Sequence, residues 1–150
     1  MDGPGSLAQL QTMDETLNLP KIYLAIKYYP DHQNRSLIEA ITAANRQAGY
    51  KTICVARDLE NWGLIHFTAA DLMQKSFELI RQSRYLMVEY TNKGTGLGIE
   101  AGFAFANAIP ILTVLSPKAD FSETLAGITA ATLRYQQPQE ITAFLTNLAP

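Results

Sequence analysis

Gly94-Thr95-Gly96-Leu97-Gly98-Ile99-Glu100-Ala101-Gly102-Phe103-Ala104 follows directly on an apolar run at residues 84–90. An apolar run of strand length, a glycine-rich turn and then a small-residue helix make the strand-loop-helix unit from which α/β sheets are wound. Glycines let the backbone turn tightly and let a ligand come close. The unpaired N–H groups of a first helical turn favour an anionic or polar partner. With the helix read as residues 98–107, Glu100 falls within or just after that turn and faces whatever the loop holds. A carboxylate there has two uses: it complements the helix N-terminus, or it acts on a bound molecule.

Outward from this unit the same alternation repeats. Residues 21–27 are a mostly apolar run that suits burial on both sheet faces, broken by Tyr28-Tyr29-Pro30-Asp31. Leu37, Ile38, Ile41, Ala44 and Ala48 recur at helical spacing over residues 31–48, and Gly49 supplies a stop. Residues 51–56 predict a second strand, and residues 57–63 a long loop placed to line a pocket. Residues 68–82 predict a helix whose stripe of Leu72, Met73, Phe77 and Ile80 also carries Ser76, which therefore faces inward. Strands at 110–115 and 132–135 and a helix at 138–148 complete the chain. The result is an α/β domain: a five-stranded parallel sheet, resembling flavodoxin-like sheets in its order 2-1-3-4-5, with helices on both faces and right-handed crossovers. Its ligand crevice lies beyond the strand C-termini, where strand order reverses. Residues 1–20 stand apart, with 1–6 read as a tag remnant and 7–19 as a short helix or loose arm, leaving 21–150 as the domain.

Composition narrows the function. The chain has 150 residues, 47% hydrophobic and 17% charged, which suits one ordinary core. Its 12 basic and 14 acidic residues leave a formal charge of -2, and no Lys/Arg run offers a nucleic acid or an anionic membrane a foothold. Cys54 is the only cysteine and lies in the apolar run Thr52-Ile53-Cys54-Val55, which reads as a buried structural thiol in a reducing compartment. No stretch has the length of a membrane span, and the start lacks a secretory pattern, so a cytoplasmic location is expected.

Two nucleotide motifs are excluded. Gly94-x-Gly96-x-Gly98 lacks the GxGxxG spacing and follows the third strand, not the first, and no GxxxxGK[ST] loop occurs. His32 and His66 are isolated, so no metal-ligand spacing exists and neither a metal nor a cofactor is expected. What the segment Gly96-Leu97-Gly98-Ile99-Glu100-Ala101-Gly102-Phe103-Ala104 does resemble is the GxGxExGxA stretch of the nucleoside 2-deoxyribosyltransferases and the related deoxynucleoside 5'-monophosphate N-glycosidases. Lys21-Ile22-Tyr23-Leu24-Ala25 is similar to that family's opening strand with its active-site tyrosine. Ile109-Pro110-Ile111-Leu112-Thr113-Val114 is similar to its strand after the catalytic helix.

The resemblance implies a retaining N-glycosidic mechanism with Glu100 as nucleophile, oriented by Tyr23. It implies a small nucleoside or nucleotide as the partner, with Ser76, Gly94, Thr95, Gly96, Gly98, Lys27 and Asp58 in contact with it. The pattern is broken at two places. Ser76 stands where the family carries an aspartate that helps protonate the leaving base, and Gly94 stands where relatives carry an acidic residue or serine. Another acid, Asp58, Asp71 or above all Glu89 at the end of the third strand, then takes over, or the protein binds a nucleotide without cleaving it. Glu89 has a second reading, as a strand carboxylate satisfied by Arg57 or Lys27. The family's counterpart of residues 116–129 reaches a neighbouring subunit, which implies a homodimer or higher homo-oligomer. Tyr28, Tyr29, Trp62 and Phe67 are candidates for base stacking or for that contact.

Overall fold

Ile22, Leu24 and Ile26 alternate with Tyr23 and Ala25 along one extended run, so a strand built from it needs helices on both sides. The computed structural model, which describes residues 18–148, shows this strand as β1 (Lys21–Ile26). It pairs in parallel with β2 (Lys51–Ile53) on one side and β3 (Tyr85–Glu89) on the other. β4 (Ile111–Leu115) pairs with β3, and β5 (Ala131–Arg134) with β4, giving the all-parallel order β2-β1-β3-β4-β5. The chain thus winds outward to β2 and then returns past β1 to β3. That reversal opens a crevice at the C-terminal end of β1.

Helices cover both faces. α1 (Arg35–Gln47) and α6 (Glu140–Thr146) pack together over the face that carries Ile22, Leu24, Met87, Leu112 and Val114. α3 (Ala69–Arg81) and α4 (Thr95–Ala106) pack together over the other, which carries Tyr23, Ala25, Leu86, Val88 and Ile111. Thr68 starts α3 by accepting the Asp71 N–H at 3.1 Å, a local cap of the kind its position predicts. Among the described residues no helix is long and apolar enough to cross a membrane.

Several boundaries differ from expectation for local reasons. The second strand stops at Ile53, because Asp58 Oδ2 accepts the Cys54 N–H at 2.8 Å and draws the chain into α2 (Val55–Asp58). The expected loop at 57–63 is therefore the end of a helical turn and then a tight bend, with Asn61, Trp62 and Gly63 in the left-handed region at φ 44°, 55° and 88°. The glycine helix begins at Thr95 instead of Gly98, with Gly94 at φ -164°, an extended value open to any residue. The chain at 116–129 holds a further short helix, α5 (Glu123–Ala126), which Ser122 caps through the Leu125 N–H at 3.3 Å. The readings of 1–6 and of nearly all of 7–19 lie outside the described residues.

Candidate active site

Glycine costs roughly 1 kcal/mol relative to alanine at each helix-interior position, so packing rather than propensity holds α4 together. Its buried face is Leu97, Ala101 and Ala104, seated against β1, β3 and β4. Glu100 shares that face. Because the helix starts early, Glu100 stands in its second turn, beyond the amides that a helix-capping carboxylate would serve. No side chain caps the α4 N-terminus.

Over β1 the Glu100 carboxyl meets Tyr23, which is 2% exposed and points up from the strand. Glu100 Oε2 is buried with no hydrogen-bond partner. Burial raises the carboxyl to about 7, and the Tyr23 phenol, donating to its charged form, pulls the other way. The phenol is pushed far up by burial and by the Glu100 charge, while Ser76 acts in the opposite sense. Ser76, also 2% exposed, donates to the Leu72 carbonyl at 2.8 Å and lies beside the Tyr23 oxygen, one proton facing two acceptors. Glu100, Tyr23 and Ser76 form one connected polar cluster in otherwise apolar surroundings.

The cluster lines a cavity of about 340 Å³ at the C-terminal ends of β1 and β2. Val55, Ala56, Leu72 and Met73 are among its apolar walls, and Lys27, Tyr28, Tyr29, His32, Asn34 and Glu60 add polar groups to the lining. His32 meets Tyr28 and Trp62 edge-on at ring distances of 6.0 and 5.8 Å, and Arg35 lies 4.6 Å over the Trp62 ring. These contacts pin the β1–α1 loop to the bend after α2. Cys54 also lines the cavity, and burial raises its thiol to about 11, which suits a structural role.

Of the site residues named from the sequence, Glu100, Tyr23, Ser76, Lys27, Tyr28 and Tyr29 line one cavity, and the others do not. Glu89 lies on the α1/α6 face, in alternation with Tyr85 and Met87, and its carboxylate accepts the Thr91 N–H at 2.8 Å and the Thr91 hydroxyl. Neither Arg57 nor Lys27 satisfies it. Burial raises Glu89, and the two Thr91 bonds oppose that. Asp58 is held by the Cys54 N–H and by Arg57 Nε at 3.0 Å, so it closes α2 and does not line the cavity. Asp71 is exposed in the first turn of α3. Gly94, Thr95, Gly96 and Gly98 also lie outside the lining. Gly96 comes nearest, since a Cβ there would sit 3.9 Å from Glu100 Oε1. Gly98 looks onto open space, and a Cβ at Gly94 would sit 3.9 Å from Lys27 Cγ. Trp62 and Phe67 stay out of the lining, Phe67 beneath Lys75 at 5.6 Å. Among the described residues, no three His, Cys, Asp or Glu side chains are grouped to hold a metal ion. Glu60 and His32 are cavity residues that sequence reasoning passed over. The available signal was position, since each lies in a segment that follows the C-terminal end of β1 or β2.

No protein-family model matches the chain, and no curated protein matches it in sequence. Solved structures do match. A 2-deoxyribosyltransferase from Bacillus psychrosaccharolyticus is similar with a TM-score of 0.63 at 14% identity, over 83% of this chain and 95% of that one. A CMP N-glycosidase from Clostridium botulinum gives 0.56 at 17% identity over 83% and 97%, and a conserved protein from Enterococcus faecalis gives 0.69 at 11% over 85% and 97%. The chain therefore has the fold of the nucleoside 2-deoxyribosyltransferases, the family that its Gly96–Ala104 segment resembles.

Proposed function

We propose that the protein cleaves or exchanges the N-glycosidic bond of a 2'-deoxynucleoside or its 5'-monophosphate. A Glu100 oxygen attacks the anomeric carbon as the bond from that carbon to the base nitrogen breaks. The bonding pair leaves with the base, which takes up a proton from water, and the glycosyl–enzyme ester then passes its sugar to water or to a second base. Tyr23 orients the carboxylate and stabilises its charged form. Lys27 and the uncapped start of α4 favour the sugar's 5' end or a phosphate on it. The observation that carries this reading is the buried Glu100 carboxyl, which Tyr23 contacts and whose Oε2 has no partner, beside a cavity of nucleoside size.

A cytoplasmic setting suits the lone thiol, and a homo-oligomer suits the outer face of α4, where Ile99 and Phe105 are 49% and 59% exposed on a helix with no charged residue besides Glu100. One observation favours a second reading, a nucleotide-binding module that no longer cleaves: Ser76 supplies no acid where the resembled family has an aspartate. Base release from a panel of deoxynucleosides and their monophosphates, with Glu100→Ala beside the parent, decides between them. Release that Glu100→Ala abolishes supports the enzyme; thermal stabilisation by a nucleotide without release supports the module.

A further inference from the structure

Strand order places the connections around β1 on opposite sides of it. The β3–α4 connection lies on the β3 side of β1, with Gly94 beside Lys27, and the α2–α3 bend, rooted on β2, lies on the other side. A nucleoside whose anomeric carbon sits at Glu100 and whose 5' end turns toward Lys27 must send its base to the β2 side. On that side Val55 and Ala56 are apolar lining, Glu60 is the acidic group, and His32 packs against the bend at Trp62 and Gly63.

Glu60 is held as a presented group. Its N–H donates to the Val55 carbonyl at 3.0 Å, and its own carbonyl accepts the Gly63 and Ile65 N–H groups at 3.0 and 2.9 Å. The Trp62 N–H adds a bond to the Ala56 carbonyl at 2.8 Å. Two successive non-glycine residues, Asn61 and Trp62, adopt left-handed backbone in this bend, a cost that persists only where surrounding contacts enforce it. The backbone at Glu60 is thus fixed by three hydrogen bonds. Its carboxylate makes no hydrogen bond or ion pair among the described residues.

We infer that Glu60 reads the base and selects those with an exocyclic amino group. This rests on the proposed nucleoside site. An ionised carboxylate accepts hydrogen bonds and donates none. It therefore pairs with the amino group of cytosine or guanine, while the oxo group of uracil sets oxygen against oxygen, and hypoxanthine lacks the second donor of guanine. The matched pairs deoxycytidine/deoxyuridine and deoxyguanosine/deoxyinosine each differ in one such group.

The test measures kcat/KM for base release from each pair and, separately, the affinity for the four 5'-monophosphates by titration calorimetry, in the parent and in Glu60→Gln. The amino member is favoured about tenfold or more in the parent, the scale of a hydrogen bond to a charged group. In Glu60→Gln, whose amide also donates, the preference falls to within about threefold. The change is carried by KM and affinity, with the acid limb of the pH profile in place. Equal use of both members by the parent, or a preference that survives Glu60→Gln, overturns the inference and leaves the glycosidic reading intact. Amino-selective binding without base release overturns the glycosidic reading and keeps the inference. Binding of none of the four overturns both.

Discussion

Replacing Tyr23 with phenylalanine removes one hydroxyl from the cavity floor and leaves the ring in the core. In the parent, burial holds the Glu100 carboxyl near 7, and the Tyr23 hydroxyl is the opposing influence. A hydrogen bond to a charged group is worth about 1.5–3 kcal/mol, and one pH unit corresponds to about 1.36 kcal/mol, so losing it moves the carboxyl up by about 1–2 pH units. In the proposed mechanism the Glu100 nucleophile works ionised, so activity rises with pH through this value. At pH 7 the ionised fraction drops from about half to about 1–10%, a loss of roughly 5–50-fold in base release, and most of it returns by about pH 9.5. The assay is a pH profile of kcat/KM for parent and Tyr23→Phe with one substrate. An acid limb that stays in place or moves down refutes the coupling, and a loss that is constant across pH assigns Tyr23 some other part.

The raised carboxyl also sets a pH-dependent stability. Native Glu100 keeps its proton over the range from 4.5 to about 7, where the unfolded chain has released it, so its contribution is complete at low pH and is lost as pH rises through about 7. Glu100→Gln therefore exceeds the parent in stability by up to about 3 kcal/mol at pH 8, a gap that closes near pH 4.5; urea unfolding at both values checks this. Glu89→Gln weakens the Thr91 turn on the far face and leaves base release within about threefold of the parent, since only hydrogen-bonding complementarity away from the site changes. A larger loss would return Glu89 to the site. Ile41→Ala, at a fully buried position under the α1/α6 face, costs about 2–5 kcal/mol in unfolding free energy while Glu100 titration in the folded protein stays unchanged.

The sheet order was legible because the first four strands are apolar runs separated by helical stripes, and a one-residue slip along β1 would exchange the Tyr23 and Leu24 faces wholesale. Glu100 and Tyr23 were named from the glycine turn and the resembled motif, and the structure brings the two side chains together. Glu89 misled because proximity to a strand end is readable from sequence, whereas the face is decided by a parity that short runs leave ambiguous; here Thr91 already satisfies it. Asp58 misled because a short acid five residues after a strand end was free to turn back and take the Cys54 N–H. Glu60 was hidden by a bend whose left-handed residues include tryptophan, which no turn preference announces. The early start of α4 was hidden by glycines whose loop-like composition masked a helix held by packing.

The most direct measurement is a chemical quench of the protein with a deoxynucleoside that it turns over, followed by mass spectrometry of its proteolytic peptides. The account predicts a deoxyribosyl ester on the peptide that contains Glu100, formed at a rate that matches base release and absent in Glu100→Ala. Full release of base by Glu100→Ala, or an ester that maps to any other carboxylate, contradicts it.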